Sequence, residues 1–298
     1  MNEKIFVSIA SYRDPELAAT VTDLFAKAAY PKRLHVQILN QIEPEDTDCR
    51  ISANPQVQVD QVAASDSLGV CWARHHIQQK LPADAAYYLQ IDSHMRFAAD
   101  WDVQMIAMLP ACASQRPILS CYPVAYTPPD QLGKPMITRL KPKKFNHHGI
   151  VTLDSETTPY RQRPALPALS ALVAGGFIFA PAQAFREVIY DPYLYFIGEE
   201  ITLSARLWTQ GWDSFAPNEV LIYHNYQPEQ RPRHWDDNQR WSALNQRSIQ
   251  RVHYLLSAMP PTDPAALIEI AHYGLGQRRT LENYQRLINV RFADGIAV

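Results

Sequence analysis

Two residues at the end of one apolar run carry the clearest chemical signal in this chain. The stretch Tyr87-Tyr88-Leu89-Gln90-Ile91 is aromatic and branched, as a buried strand requires, and it stops abruptly at Asp92-Ser93-His94. Ligands of open α/β sheets sit beyond the carboxyl ends of the strands, so an acid and an imidazole two residues apart would project together into that crevice. A carboxylate oxygen with a neutral imidazole nitrogen suits Mn²⁺ or another divalent ion that must also hold a diphosphate. The competing assignment is plain: Asp92 caps the following helix and His94 is a surface residue.

Two further stretches add polar groups to apolar surroundings. Leu169 to Phe179 reads as a buried strand interrupted by Gly175-Gly176, and glycine inside a strand marks either a bulge or the close approach of a ligand. Ile201, Leu203, Ala205, Leu207 and Trp208 fit a largely buried helix. Glu199 and Glu200 stand in its first turn, where the helix dipole favours carboxylates.

Alternating segments must position these groups. Strands are expected at 4–10, 34–42, 57–62, 87–91 and 117–122, with helices from Pro15, over 69–81 and over 100–112. That alternation implies an α/β fold with a largely parallel sheet and helices on both faces. Residues 123–167 lose periodicity beyond a short strand or two, and a span of this kind is a candidate lid or binding loop or a surface insertion. His147-His148 are poor metal ligands if extended, because adjacent residues of a strand face opposite ways. The tail, 234–298, reads as helical, with a second apolar run at 267–270.

Bulk properties set the class. With 298 residues, 47% hydrophobic and 19% charged, the chain can bury a sizeable core. A net charge of −2 without a long basic run argues against nucleic acid. Neither a signal-like leader nor a membrane-length apolar stretch is present, so a cytoplasmic protein is expected. Cys49, Cys71, Cys112 and Cys121 are irregularly spaced and are expected to be reduced, with Cys121 in the core.

The string YYLQIDSHMRF resembles the Asp-x-His metal motif of GT-A-fold glycosyltransferases. It is especially similar to the cytoplasmic N-acetylglucosaminyltransferases that modify hydroxyproline, and Tyr273-Gly274-Leu275-Gly276-Gln277-Arg278-Arg279-Thr280-Leu281 resembles the same group. Mucin-type polypeptide N-acetylgalactosaminyltransferases are a more distant likeness. Ala174-Gly175-Gly176 resembles their turn beside the donor sugar, and Gly198-Glu199-Glu200 through Gly211 follows their Gly-Glu-Asn-x-Glu-x-Ser-x-Arg-x-Trp-x-x-Gly spacing, with Glu200 and Thr202 replacing the Asn and the second Glu.

The resemblance implies a GT-A domain over 1–233, a mixed sheet flanked by helices, with a helical extension over 234–298. It implies that His224 joins Asp92 and His94 as the third ligand of a divalent metal, Mn²⁺ above all, and that Glu199 lies near the sugar. Either Glu199 or Glu200 would then act at the acceptor hydroxyl or the sugar's cationic centre. Ser11, Tyr12, Arg13, Asp66 and Arg74 become candidate uridine and phosphate contacts, joined on the donor side by Asp92, Ser93, Gly175 and Gly176. The implied activity is a retaining transfer of N-acetylglucosamine from a UDP-sugar to a hydroxyl of a protein or a surface glycan. Read from the residues alone, two other functions compete: a metal-dependent hydrolase of sugar nucleotides and a sugar-nucleotide-binding protein without turnover.

Overall fold

The computed structural model describes residues 3–227, 232–257 and 259–297. Its centre is β1 (Lys4–Tyr12), whose Ile5, Phe6, Val7 and Ile9 are all buried. A strand apolar on both faces belongs inside a sheet covered on both sides. After α1 (Leu17–Ala26), β2 (Leu34–Gln41) pairs with β1 in parallel, and β3 (Val57–Val62) extends the same parallel edge. Then α2 (Val70–Gln78) leads to β4 (Ala85–Asp92), parallel to the other side of β1 with Ile9 opposite Ile91.

Beyond β4 the chain makes a short strand, β5 (Met95–Phe97), then α3 (Trp101–Met108) and β6 (Pro117–Ser120). Next come β7 (Val124–Thr127), β8 (Gln131–Leu132), β9 (Met136–Phe145), β10 (Val151–Pro159) and β11 (Ala168–Leu169). The second half supplies β12 (Phe177–Pro181), α4 (Gln183–Glu187), α5 (Glu199–Thr209), β13 (Asp213–Ala216) and β14 (Ile222–His224). The described tail contains α6 (His234–Asp237), α7 (Trp241–Ser257) and α8 (Leu281–Ile288).

Eight strands form the main sheet in the order β11-β13-β6-β12-β4-β1-β2-β3. It is mixed rather than largely parallel, because β12 runs antiparallel to both β4 and β6. A second sheet, β5-β14-β7-β8, lies past the end of β4. In it β14 pairs antiparallel with β5, and His224 falls opposite Met95. That register brings two distant segments together beside Asp92.

Three expectations need correction. The span 123–167 holds a long hairpin of β9 and β10 instead of a strand or two. Its residues are mostly polar on both faces, only Ile137, Leu140 and Val151 being buried among β9 and β10, and Pro142 sits at a register shift, so the apolar alternation that marks a strand is missing. Cross-strand ion pairs from Arg139 to Glu156 (2.7 Å) and Lys143 to Asp154 (3.1 Å) join the two strands instead. Secondly, Gly175-Gly176 precede β12 and do not interrupt it; residues 170–176 are irregular, with Ala171 at φ +62°. Thirdly, the 267–270 run begins at the last residue of a short 3-10 turn (Pro264–Leu267) and continues as turn, not as an α-helix.

The tail is integrated by burial. Ile249, Val252, Leu255 and Leu256 of α7 and Tyr284 of α8 belong to the same apolar cluster as α2 and α5. Arg251 is fully buried, paired with Asp191 at 2.6 Å and donating to the carbonyls of Ala266 and Ile268. All four cysteines are free thiols, and Cys121 is only partly buried while the other three are buried. No helix among the described residues is long and apolar enough to cross a membrane.

Candidate active site

The carboxyl ends of β1 and β4, the Gly175-Gly176 turn, the start of α5 and the end of β14 border one cavity of about 680 Å³. That is the scale of a site for a cofactor-sized ligand. Asp92 closes β4, His94 lies two residues on, and His224 ends β14. Their Nε2 atoms, His94 and His224, face each other at 2.9 Å, and His224 Nε2 is 3.2 Å from Asp92 Oδ2. One ligand atom from each of the three lies within 4.8 Å of the others.

This donor set fits a divalent cation. Two imidazole nitrogens that share one ion must lie within a few ångströms of each other, as these two do at 2.9 Å. Without a shared cation, two Nε2 atoms at this spacing can hold only one proton between them. Three protein ligands would leave coordination positions for phosphate oxygens.

The Asp92 carboxylate is held from behind. Arg74 donates to Asp92 Oδ1 at 2.8 Å through one nitrogen and to Glu199 through the other. Burial works against the charged form of Asp92, yet the hydrogen bond from His224 and the Arg74 guanidinium outweigh it. The carboxyl is held well below the usual carboxylate range. Glu199 raises the pKa of buried Arg74 in return, against the cost of its own burial. Both glycines are needed for this closeness. A Cβ on Gly176 would strike the Asp92 carboxylate, and one on Gly175 would lie 2.6 Å from Arg74 Nη1.

Glu200, the neighbour of Glu199, has a different setting. Burial pushes its carboxyl up to about 7, opposed by hydrogen bonds from the Tyr122 hydroxyl at 2.6 Å and the Gly175 backbone N–H at 3.0 Å. A carboxyl titrating there exchanges a proton near neutral pH and borders the cavity.

Of the expected donor contacts, Tyr12, Arg74, Asp92, Ser93, Gly175 and Gly176 border the cavity; Ser11, Arg13 and Asp66 do not. Ser11 is wholly buried within β1. Arg13 makes two bonds to Asp46 (2.8 and 3.0 Å) and one to Asp237 (3.0 Å), which also accepts from the Tyr12 hydroxyl at 2.8 Å. Asp66 is exposed on a short turn, while its neighbour Ser67 faces the cavity and donates to Gln41 at 2.7 Å. His147 and His148 sit in a turn with ring centres 3.8 Å apart and planes inclined at 45°.

Several lining residues carried no signal in the sequence. Phe196, Tyr226, His234 and Trp235 come from loops and a one-turn helix with no periodic pattern. His234 is kept neutral by burial, which lowers its pKa to about 4. Asn146 and Ile150 to Leu153, from the hairpin tip and β10, complete this less charged part of the lining.

The family model described as glycosyltransferase (GlcNAc) matches residues 4–54 and 50–294. No curated protein matches the sequence. Among solved structures, GalNAc-T7 with UDP, GalNAc and Mn²⁺ superposes with a TM-score of 0.65 at 16% identity, over 96% of this chain and 56% of that one. The chain thus spans little more than half the length of that protein. Residues 1–349 of S. aureus TarS, with UDP and with UDP-GlcNAc, give TM-scores of 0.46 and 0.48 at 10% identity, over 84% of this chain and 72% and 66% of theirs.

Proposed function

We propose, from the premise that this chain belongs to the glycosyltransferase (GlcNAc) family and is a glycosyltransferase of the GT-A fold, that it moves N-acetylglucosamine from UDP to a hydroxyl acceptor with the help of a divalent metal, Mn²⁺ in the first instance. The observation that carries the reading is the meeting of His94 Nε2 and His224 Nε2 at 2.9 Å beside Asp92, on the wall of a cavity of about 680 Å³. Asp92, His94 and His224 would hold the ion, which when bound would stabilise the negative charge that develops on the departing diphosphate.

The chain's own residues account for the remainder. Arg74 is spent on Asp92 and Glu199, so it fixes the ligand carboxylate instead of reaching freely for phosphate. Gly175 and Gly176 let the donor-side backbone approach Arg74, Glu199 and Asp92 without side-chain obstruction. Glu199 is committed to Arg74, which leaves Glu200 as the better candidate to take the acceptor's proton as the new glycosidic bond forms. Its pKa of about 7 suits that task. Retention of anomeric configuration would need no protein nucleophile if the leaving phosphate assists on the same face.

The acceptor follows less directly: protein hydroxyproline, Ser or Thr, or a glycan hydroxyl, received in the part of the cavity bordered by Ile150 to Leu153, Phe196 and Trp235. Incubation with Mn²⁺ and a panel of UDP-sugars, reading UDP release by chromatography, tests the assignment. Slow release from UDP-N-acetylglucosamine that stops on chelation is expected. Equal release in the presence of a chelator would contradict the metal role, and preference for another sugar would contradict the donor.

A further inference from the structure

Asp14 stands in the turn after β1, 80 positions from His94, yet it is 2% exposed and its Oδ2 lies 2.6 Å from His94 Nδ1 and 2.6 Å from Ser93 Oγ. Its other oxygen accepts the Glu16 backbone N–H at 3.0 Å, at the entry to α1. An ionised carboxylate only accepts hydrogen bonds, so the proton in the short contact with His94 belongs to Nδ1. Neutral imidazole with its proton on Nδ1 has its lone pair on Nε2. Nε2 is the atom that meets His224 Nε2.

We propose that Asp14 is a positioning residue for the metal centre: by accepting the Nδ1 proton of His94 it fixes the ring's tautomer and rotation so that Nε2 is presented to a divalent cation. The inference rests on the metal reading above and deepens it. Hydrogen bonds of this kind behind a histidine ligand typically matter by 10–100-fold in metal affinity. Neighbouring contacts stiffen the arrangement. The Thr20 hydroxyl on α1 donates to the Ser93 carbonyl at 2.8 Å and accepts the Met95 N–H at 2.8 Å, so the Asp14 turn and the His94 turn are tied along two lines.

A purely structural role for Asp14, holding the turn before α1 through the Glu16 N–H, makes a different prediction from a positioning role. Asparagine makes the same side-chain bond to the backbone two residues on as aspartate does and matches its volume, but its amide can donate to Nδ1 and so stabilise the tautomer with a proton on Nε2. The test is Mn²⁺ titration followed by electron paramagnetic resonance of the free ion, with wild type, His94→Ala and Asp14→Asn, alongside thermal melting. Wild-type binding that is lost in His94→Ala and weakened about 10–100-fold in Asp14→Asn, at an unchanged melting temperature, is the expected result. Wild-type affinity in Asp14→Asn would overturn the positioning role and leave the metal site standing. Absence of Mn²⁺ binding by the wild type, or full affinity in His94→Ala, would remove the metal reading and the positioning role with it. Should Asp14→Asn fail to fold, long-range ¹H–¹⁵N spectra of the metal-free wild type decide: a proton on His94 Nδ1 supports the assignment and a proton on Nε2 overturns it.

Discussion

Asp92, His94, His224, Arg74, Glu199 and Asp14 form a connected set in which each has a named partner at hydrogen-bond distance. The other part of the cavity, bordered by Ile150 to Leu153 of the hairpin, Phe196 and Trp235, is mostly carbon, and Phe196 is 47% exposed. Glu200 stands where the two meet, bonded to Tyr122 on one oxygen and to the Gly175 backbone on the other. Under the proposed function the contrast separates two tasks. Holding a cation and a diphosphate demands fixed charges whose positions are over-determined, whereas receiving an acceptor asks for surface that can be shaped without disturbing those charges.

The largest effects should come from the charged part. Asp92→Ala and His224→Ala should each lower metal-stimulated turnover by about 10³-fold or more, with circular dichroism showing the fold retained; full activity in either would break the comparison at its base. Arg74→Met should leave Glu199 and Asp92 buried close together without their shared cation, a loss of about 3–5 kcal/mol in urea unfolding. A variant as stable as wild type would show that the network is less tightly coupled than its geometry indicates.

Glu200→Gln sharpens the boundary between the two parts. In the wild type, turnover should rise with pH through an inflection near 7 as Glu200 ionises; in the variant that inflection should vanish and turnover fall by about 10²-fold. Stability should respond in the opposite sense. A folded-state pKa raised from 4.5 to about 7 means that the folded protein binds more protons than the unfolded chain across that interval. Stability contributed by the protonated group is therefore complete below about 4.5 and lost as pH climbs through about 7, and the variant should lack this loss. The smallest effect belongs to the apolar part: Phe196→Ala should raise the acceptor KM by about 2–10-fold, the worth of one aromatic contact, with Mn²⁺ affinity unchanged. A change in Mn²⁺ affinity would show that the two parts are not separable.

What could be read from the sequence follows the same division. Asp92 and His94 were visible because a buried strand ends abruptly at them, and the family resemblance weighed a metal pair above a helix cap and a surface residue. The Gly-Gly turn and the paired glutamates stood out as polar or flexible residues amid apolar runs. His224 emerged through family resemblance alone, since only the antiparallel register of β14 with β5 brings it to His94. Asp14 looked like an ordinary turn residue because Ser93 and His94, which its Oδ2 meets, lie about 80 residues away. Arg13 and Asp66 have the right chemistry for a nucleotide contact, yet Arg13 is claimed by Asp46 and Asp237 and Asp66 faces outward. The hairpin was hidden because strands that are polar on both faces lack the alternation by which a strand is recognised.

The most direct test of the central claim is calorimetric titration of UDP into the wild type and His224→Ala, with Mn²⁺ and then with a chelator. If one cation held by Asp92, His94 and His224 grips the diphosphate, Mn²⁺ should tighten UDP binding to the wild type by about 5–150-fold, the range usual for coupled ligands, and have no such effect on the variant. Equal UDP affinity with and without Mn²⁺ in the wild type, or the same tightening in His224→Ala, would contradict it.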